Sequence, residues 1–156
     1  MTSTPPRHRE VRWEVPADPS VTAKCRALVR DTLIGWQMPG IADDVVLVVS
    51  ELLGNALIHG GPPILLTLSA AGGVLSGAVT DRGPGWPRIR EAGTDREHGR
   101  GLRIVAALTD RWGVVPVATG LGKTIWFSLA YGPPALGQHP LPVGGRRPVA
   151  GPMPSP

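Results

Sequence analysis

The sequence predicts an α+β fold, a two-layer sandwich with helices on one face of a mixed, mostly antiparallel sheet. Three observations lead there. A short strand is followed by two stretches with helical periodicity. Two β-like stretches joined by a Gly-rich turn come next. A third helix then leads into two final strands. At 156 residues the chain is the size of one ordinary domain and can bury a core without disulfides or metal.

Each element has its own signal. Val11–Val15 reads as a strand that ends at Pro16. Asp18 or Ser20 can cap a helix running to about Trp36, and Met38-Pro39-Gly40 breaks it. A second helix, with Asp43 or Asp44 in its first turn, runs to His59 and stops at Gly60-Gly61. Ile64–Ser69 and Val74–Thr80 form a hairpin across Ala70-Ala71-Gly72-Gly73. Asp81–His98 is polar, Gly-rich and without periodicity, so it reads as loop. Arg100–Thr109 carries Leu102, Val105, Ala106 and Leu108 at helical spacing. Val114–Ala118 and Lys123–Leu129 are the last strands, with Thr119–Gly122 between them.

The ends differ from the body. Residues 1–10 are a polar, flexible arm, and 132–156 hold eight Pro and five Gly, a composition that reads as disordered. The domain is then 11–131. The net charge of +4 comes from residues 1–12 and 132–156. Arg7, Arg9 and Arg12 stand against Glu10 in one, and Arg146 and Arg147 stand without an acid in the other. The body is neutral, which argues against direct nucleic-acid binding, since that needs a basic face on the domain. The single cysteine, Cys25, excludes an internal disulfide and is expected to be a buried thiol. No apolar run approaches the roughly 20 residues of a membrane span, and no apolar leader follows the N-terminal charges. A cytoplasmic protein is the expectation.

Four segments carry chemistry. In Glu51-Leu52-Leu53-Gly54-Asn55, Glu51 and Asn55 share one helix face in strongly apolar surroundings. They are either a solvent-facing stripe or a carboxylate base beside an amide ligand for Mg²⁺, which prefers few, hard protein oxygens. His59 falls on that face but ends the helix, where a histidine beside glycine is structural. Asp81-Arg82-Gly83-Pro84-Gly85 follows a strand. It is either a common turn or a carboxylate placed to accept a hydrogen bond from an exocyclic amine such as adenine's, with glycines that admit a ligand. Gly99-Arg100-Gly101-Leu102 opens a helix, where free N–H groups can bind phosphate. Gly120-Leu121-Gly122-Lys123-Thr124 imitates the end of a Walker A loop, but Val117 stands where glycine is needed and a strand follows instead of a helix. The P-loop reading is rejected.

In this order and spacing the four segments resemble the GHKL superfamily of Bergerat-fold ATPases. ELLGNALIHG, DRGPGWP, HGRGLRIV and GKTIWF are most similar to its anti-sigma-factor serine/threonine kinase branch. The resemblance covers about residues 11–130. It implies ATP and Mg²⁺ as cofactors, Glu51 as the base that activates the attacking hydroxyl, and Asn55 as the Mg²⁺ ligand. It implies Asp81 as the adenine-amine acceptor, with Gly83 and Gly85 shaping that pocket. Trp86–His98 would be the ATP lid, Gly99, Arg100, Gly101 and Leu102 its phosphate-binding end, and Thr124 a strand residue near the adenine. Gly54 departs from the pattern, since bulkier residues are usual there. Mid-helix it costs about 1 kcal/mol relative to alanine.

Two functions stand side by side. One is a protein serine/threonine kinase that phosphorylates a STAS-type anti-anti-sigma partner. The other is a non-catalytic ATP-binding module that holds a sigma factor or other partner. The resemblance also implies a homodimer, and five Trp in a chain with little other aromatic content suit an interface. Removal of 132–156 is expected to leave the melting temperature within a few degrees of the full chain. A larger drop in a thermal melt would mean that the tail packs on the domain.

Overall fold

The computed structural model describes residues 8–84, 98–118 and 120–131. The elements are β1 (Arg9–Val15), α1 (Val21–Gly35), α2 (Pro39–His59), β2 (Ile64–Ala71), β3 (Val74–Asp81), α3 (His98–Leu108), β4 (Arg111–Pro116) and β5 (Lys123–Ala130). The five strands form one sheet in the order β1-β2-β3-β5-β4, and all four pairings are antiparallel. With three helices this is the α+β sandwich the sequence predicts. Residues 1–7, Gly85, the lid segment through residue 97, Thr119 and the tail 132–156 lie outside the described residues.

Several boundaries move, each for a physical reason. β1 begins at Arg9, two residues inside the expected arm, because Arg9 and Glu10 pair with Ala70 and Ser69. Their side chains add nothing to the apolar pattern, so sequence alone did not extend the strand. α2 begins at Pro39, within the expected breaker. Proline suits a first helical position, since its φ is preset and its missing N–H would have no helical partner. Asp43 and Asp44 therefore lie in the second turn, and Asp43 forms an ion pair with Arg30 of α1. The caps offered for α1 resolve in favour of neither residue as a standard side-chain cap. Ser20 makes no such bond, while the Asp18 carboxylate accepts the Ser20 N–H at 2.9 Å. α3 starts at His98, and β4 at Arg111 instead of Val114, where Trp112 and Gly113 pair with Phe127 and Trp126.

One core joins the layers. Leu66, Leu68, Leu75, Val79, Ile125 and Phe127 of the sheet meet Val45, Val49, Leu52, Leu53 and Ala56 of α2. Cys25, Val29 and Leu33 of α1 and Leu102 and Val105 of α3 complete it. Cys25 is buried as expected, and burial pushes its thiol pKa up, away from the reactive thiolate. Gly72 and Gly73 both take positive φ, the requirement of the tight turn that fixes the β2–β3 register. No helix among the described residues is long and apolar enough to cross a membrane.

Phe127, with no exposed surface, lies across the strands from Gly77. A Cβ on Gly77 would overlap the Phe127 ring. Gly77→Ala is expected to destabilise the domain by about 1–3 kcal/mol, the usual cost of overpacking. Phe127→Leu in the Gly77→Ala background should recover part of that loss. Urea denaturation of the two singles and the double measures the coupling, and simple additivity would contradict this packing.

Candidate functional site

The site is built on the C-terminal half of α2. Its run of apolar residues drives one side into the core, where Leu52, Leu53 and Ala56 are each 1% exposed. Glu51 and Asn55 turn away from that side and remain half-buried. They line an open cleft together with Gly54 and His59 of α2 and Gly101 and Leu102 of α3. α3 approaches closely here. A Cβ on Gly101 would stand 3.1 Å from Oε2 of Glu51. The first turn of α3, with its free backbone N–H groups, is therefore set beside the carboxylate. Gly99 and Arg100 belong to this turn. Leu102 anchors it in the core at 3% exposure.

Asn55 supplies the observation with most chemical content. Its Oδ1 is buried and has no hydrogen-bond partner among the described residues. A buried acceptor left without a partner costs free energy, so this oxygen suits a ligand entering the cleft. A hard amide oxygen beside a carboxylate one helical turn away fits Mg²⁺ held by few protein groups, with phosphate and water completing the shell. No group of three or more His, Cys, Asp or Glu side chains among the described residues could hold a metal alone.

Asp81 lies at the end of β3 and is 2% exposed. Its Oδ1 accepts the Gly83 N–H at 3.0 Å. Gly60, which ends α2, packs directly on it: a Cβ at Gly60 would overlap the carboxylate, and a Cβ at Gly83 would overlap the Gly60 backbone. Arg82 N–H bonds the Gly61 carbonyl at 2.9 Å. These close approaches weld the end of α2 to the end of β3. At 1.5 Å of rise per residue, the nine residues from Glu51 to Gly60 span about 14 Å. The two carboxylates, Glu51 and Asp81, thus mark opposite ends of a track along α2, comparable to an extended nucleoside triphosphate.

Thr124 does not join them. Asp81 pairs with Lys123 and Thr80 with Thr124. Successive strand residues point to opposite faces, so Thr124 lies on the far side of the sheet from Asp81. There its hydroxyl and that of Thr80 share a hydrogen bond of 2.7 Å. The sequence places Thr124 near the adenine as an expectation; in the sheet it pairs with Thr80 on the face opposite Asp81. The residue that faces Asp81 is Lys123, with Nζ 2.7 Å from Oδ2 and no exposed side-chain surface. Sequence reasoning met Lys123 only in the rejected Walker A look-alike. A signal was present: Lys123, Ile125 and Phe127 share the core-facing parity of β5, and a lysine at such a position needs a buried partner.

A family model described as a histidine kinase-like ATPase domain matches residues 15–129. No curated protein is similar in sequence. Among solved structures, the chain is similar to the crystal structure of the RsbU and RsbW domains of Rv1364c from Mycobacterium tuberculosis. The TM-score is 0.63 at 23% identity, over 81% of this chain and 34% of that one. The chain thus spans about a third of that protein's length, and the likeness is one of fold. The family match takes in α2 with Glu51 and Asn55, the Asp81 loop and all but the last residue of β5, and by it the chain belongs to the family of histidine kinase-like ATPase domains.

Proposed function

We propose that the protein is an ATP-dependent serine/threonine protein kinase of the anti-sigma-factor type. Its substrate would be a STAS-type antagonist, and its other partner a sigma factor. The proposal includes a homodimer as the working state. The observation that carries the reading is the cleft itself, where the unpartnered Asn55 Oδ1 and the Glu51 carboxylate stand one turn apart under the glycine turn of α3.

In this reading Asp81 accepts a hydrogen bond from the exocyclic amine of adenine, and the α3 N-terminus receives the phosphates. Asn55 would hold Mg²⁺, which supplies charge neutralisation on the phosphate oxygens when bound. Glu51 accepts the proton of the partner's hydroxyl as its oxygen bonds to the γ-phosphorus. The bond from that phosphorus to the bridging oxygen breaks, and ADP leaves. Little covalent work falls to the protein, and positioning and electrostatics carry the rate.

Glu51→Gln retains size and removes the proton acceptor. Nucleotide affinity should survive while phosphoryl transfer to a captured partner falls by about 10²–10⁴-fold. Asn55→Ala should weaken Mg²⁺-dependent binding and transfer together. Calorimetry with ATP and a labelled-phosphate assay separate the two effects. Normal transfer by Glu51→Gln would remove the base assignment. A wild-type protein that binds ATP and holds its partner yet transfers nothing is instead a binding module.

Gly54 tests where the ligand runs. A Cβ there meets nothing within 4 Å. Gly54→Ala should therefore stabilise the free protein by about 1 kcal/mol, the helix-propensity difference. The same methyl projects into the cleft and should reduce the stabilisation that ATP confers. Melting curves with and without Mg-ATP read both, and an unchanged ATP shift would place the nucleotide elsewhere.

A further inference from the structure

Lys123 has no part in the chemistry proposed so far, yet it is among the largest side chains with no exposed surface. A lysine is almost never fully buried unless paired. Its Nζ stands 2.7 Å from Oδ2 of Asp81, a buried ion pair. The contact is one of charge. The other carboxylate oxygen accepts the Gly83 N–H. Asp81 is therefore held on two sides, by β5 through Lys123 and by its own following loop through Gly83. An ionised carboxylate has about four acceptor positions. The two contacts leave acceptor capacity free, in directions set by the two that are filled.

We infer that Lys123 is a positioning residue of the base site. Through its charge contact it keeps the Asp81 carboxylate where it can accept the amine of adenine. Discrimination against a base that carries a carbonyl in place of that amine then depends on Lys123. Removing the ammonium leaves a carboxylate at 2% exposure without the cation that faces it. Such a group is driven toward water. The carboxylate then leaves the place where the base would meet it. The inference rests on the reading of Asp81 as the adenine acceptor.

The test compares ATP with inosine triphosphate, which differs at that amine and keeps the sugar and the phosphates. Dissociation constants are measured for the full chain as wild type, Lys123→Met, Lys123→Gln, Asp81→Asn and Asp81→Asn with Lys123→Met. Wild type should prefer ATP by about tenfold or more, the worth of one hydrogen bond to a charged group. Lys123→Met and Lys123→Gln should bring that ratio close to one while affinity for inosine triphosphate changes little. In the Asp81→Asn background Lys123→Met should have no further effect on the ratio. A merely structural role would lower both affinities together and leave the ratio at its wild-type value, which would overturn the inference with the adenine reading intact. A wild-type ratio of one would overturn the adenine reading and the inference with it. Should the single variants fail to fold, the Lys123 ammonium resonance in labelled wild-type protein decides. It should shift on binding ATP and not on binding inosine triphosphate, and an unmoved signal with ATP bound would overturn the proposal.

Discussion

Opposite charges with almost no access to water face each other where β3 ends and β5 begins. Isolated, either charge would be costly in the interior, and removing one member of a buried pair typically costs about 3–5 kcal/mol. A domain of this size has about 5–15 kcal/mol of stability in all. The Asp81–Lys123 pair is therefore a constraint that the rest of the structure has to respect. β3 and β5 must be neighbours in this register for the charges to meet, although a helix and a further strand separate them in the chain. The order β1-β2-β3-β5-β4 achieves this by placing the last strand between β3 and β4.

The pair is not the cheapest way to hold two strands together. Apolar residues of similar volume in place of a buried ion pair are often neutral or stabilising. The neighbouring cross-strand partners, such as Val79 with Ile125, already do that work. What an apolar pair could not offer is an acceptor beside the end of α2. Gly60 and Gly83 lack side chains where they pack over Asp81, and added Cβ atoms there would overlap their neighbours. Helix, strand and loop thus converge on one carboxylate.

The cleft at Glu51 is governed by the opposite condition. Its polar atoms are half-buried, and the Asn55 oxygen has no partner among the described residues. Gly54 leaves open space, whereas Gly101 brings α3 almost to the Glu51 carboxylate. One end of the track along α2 is closed by charge and packing. The other is open, with donors and acceptors only partly satisfied. An elongated ligand with a hydrogen-bonding base and a polyanionic tail would complement that gradient.

The sequence by itself determined the eight elements, the β2–β3 hairpin, the burial of Cys25 and the shared face of Glu51 and Asn55. These follow from local periodicity, turn chemistry and the 3.6-residue repeat, which act over a few residues and so can be read along the chain. It also excluded a P-loop, because the strand pattern after Thr124 is local too. Tertiary structure alone decided which side chains meet Asp81. Strand parity sends Thr124 to the far face, where it bonds Thr80, and turns Lys123 inward. That outcome depends on a register between residues more than forty positions apart in the chain. Likewise, the limits of β1 and β4 were set by partner strands and not by their own composition. The close approach of Gly101 to Glu51 required α3 to pack on α2, a contact between elements for which no local pattern exists.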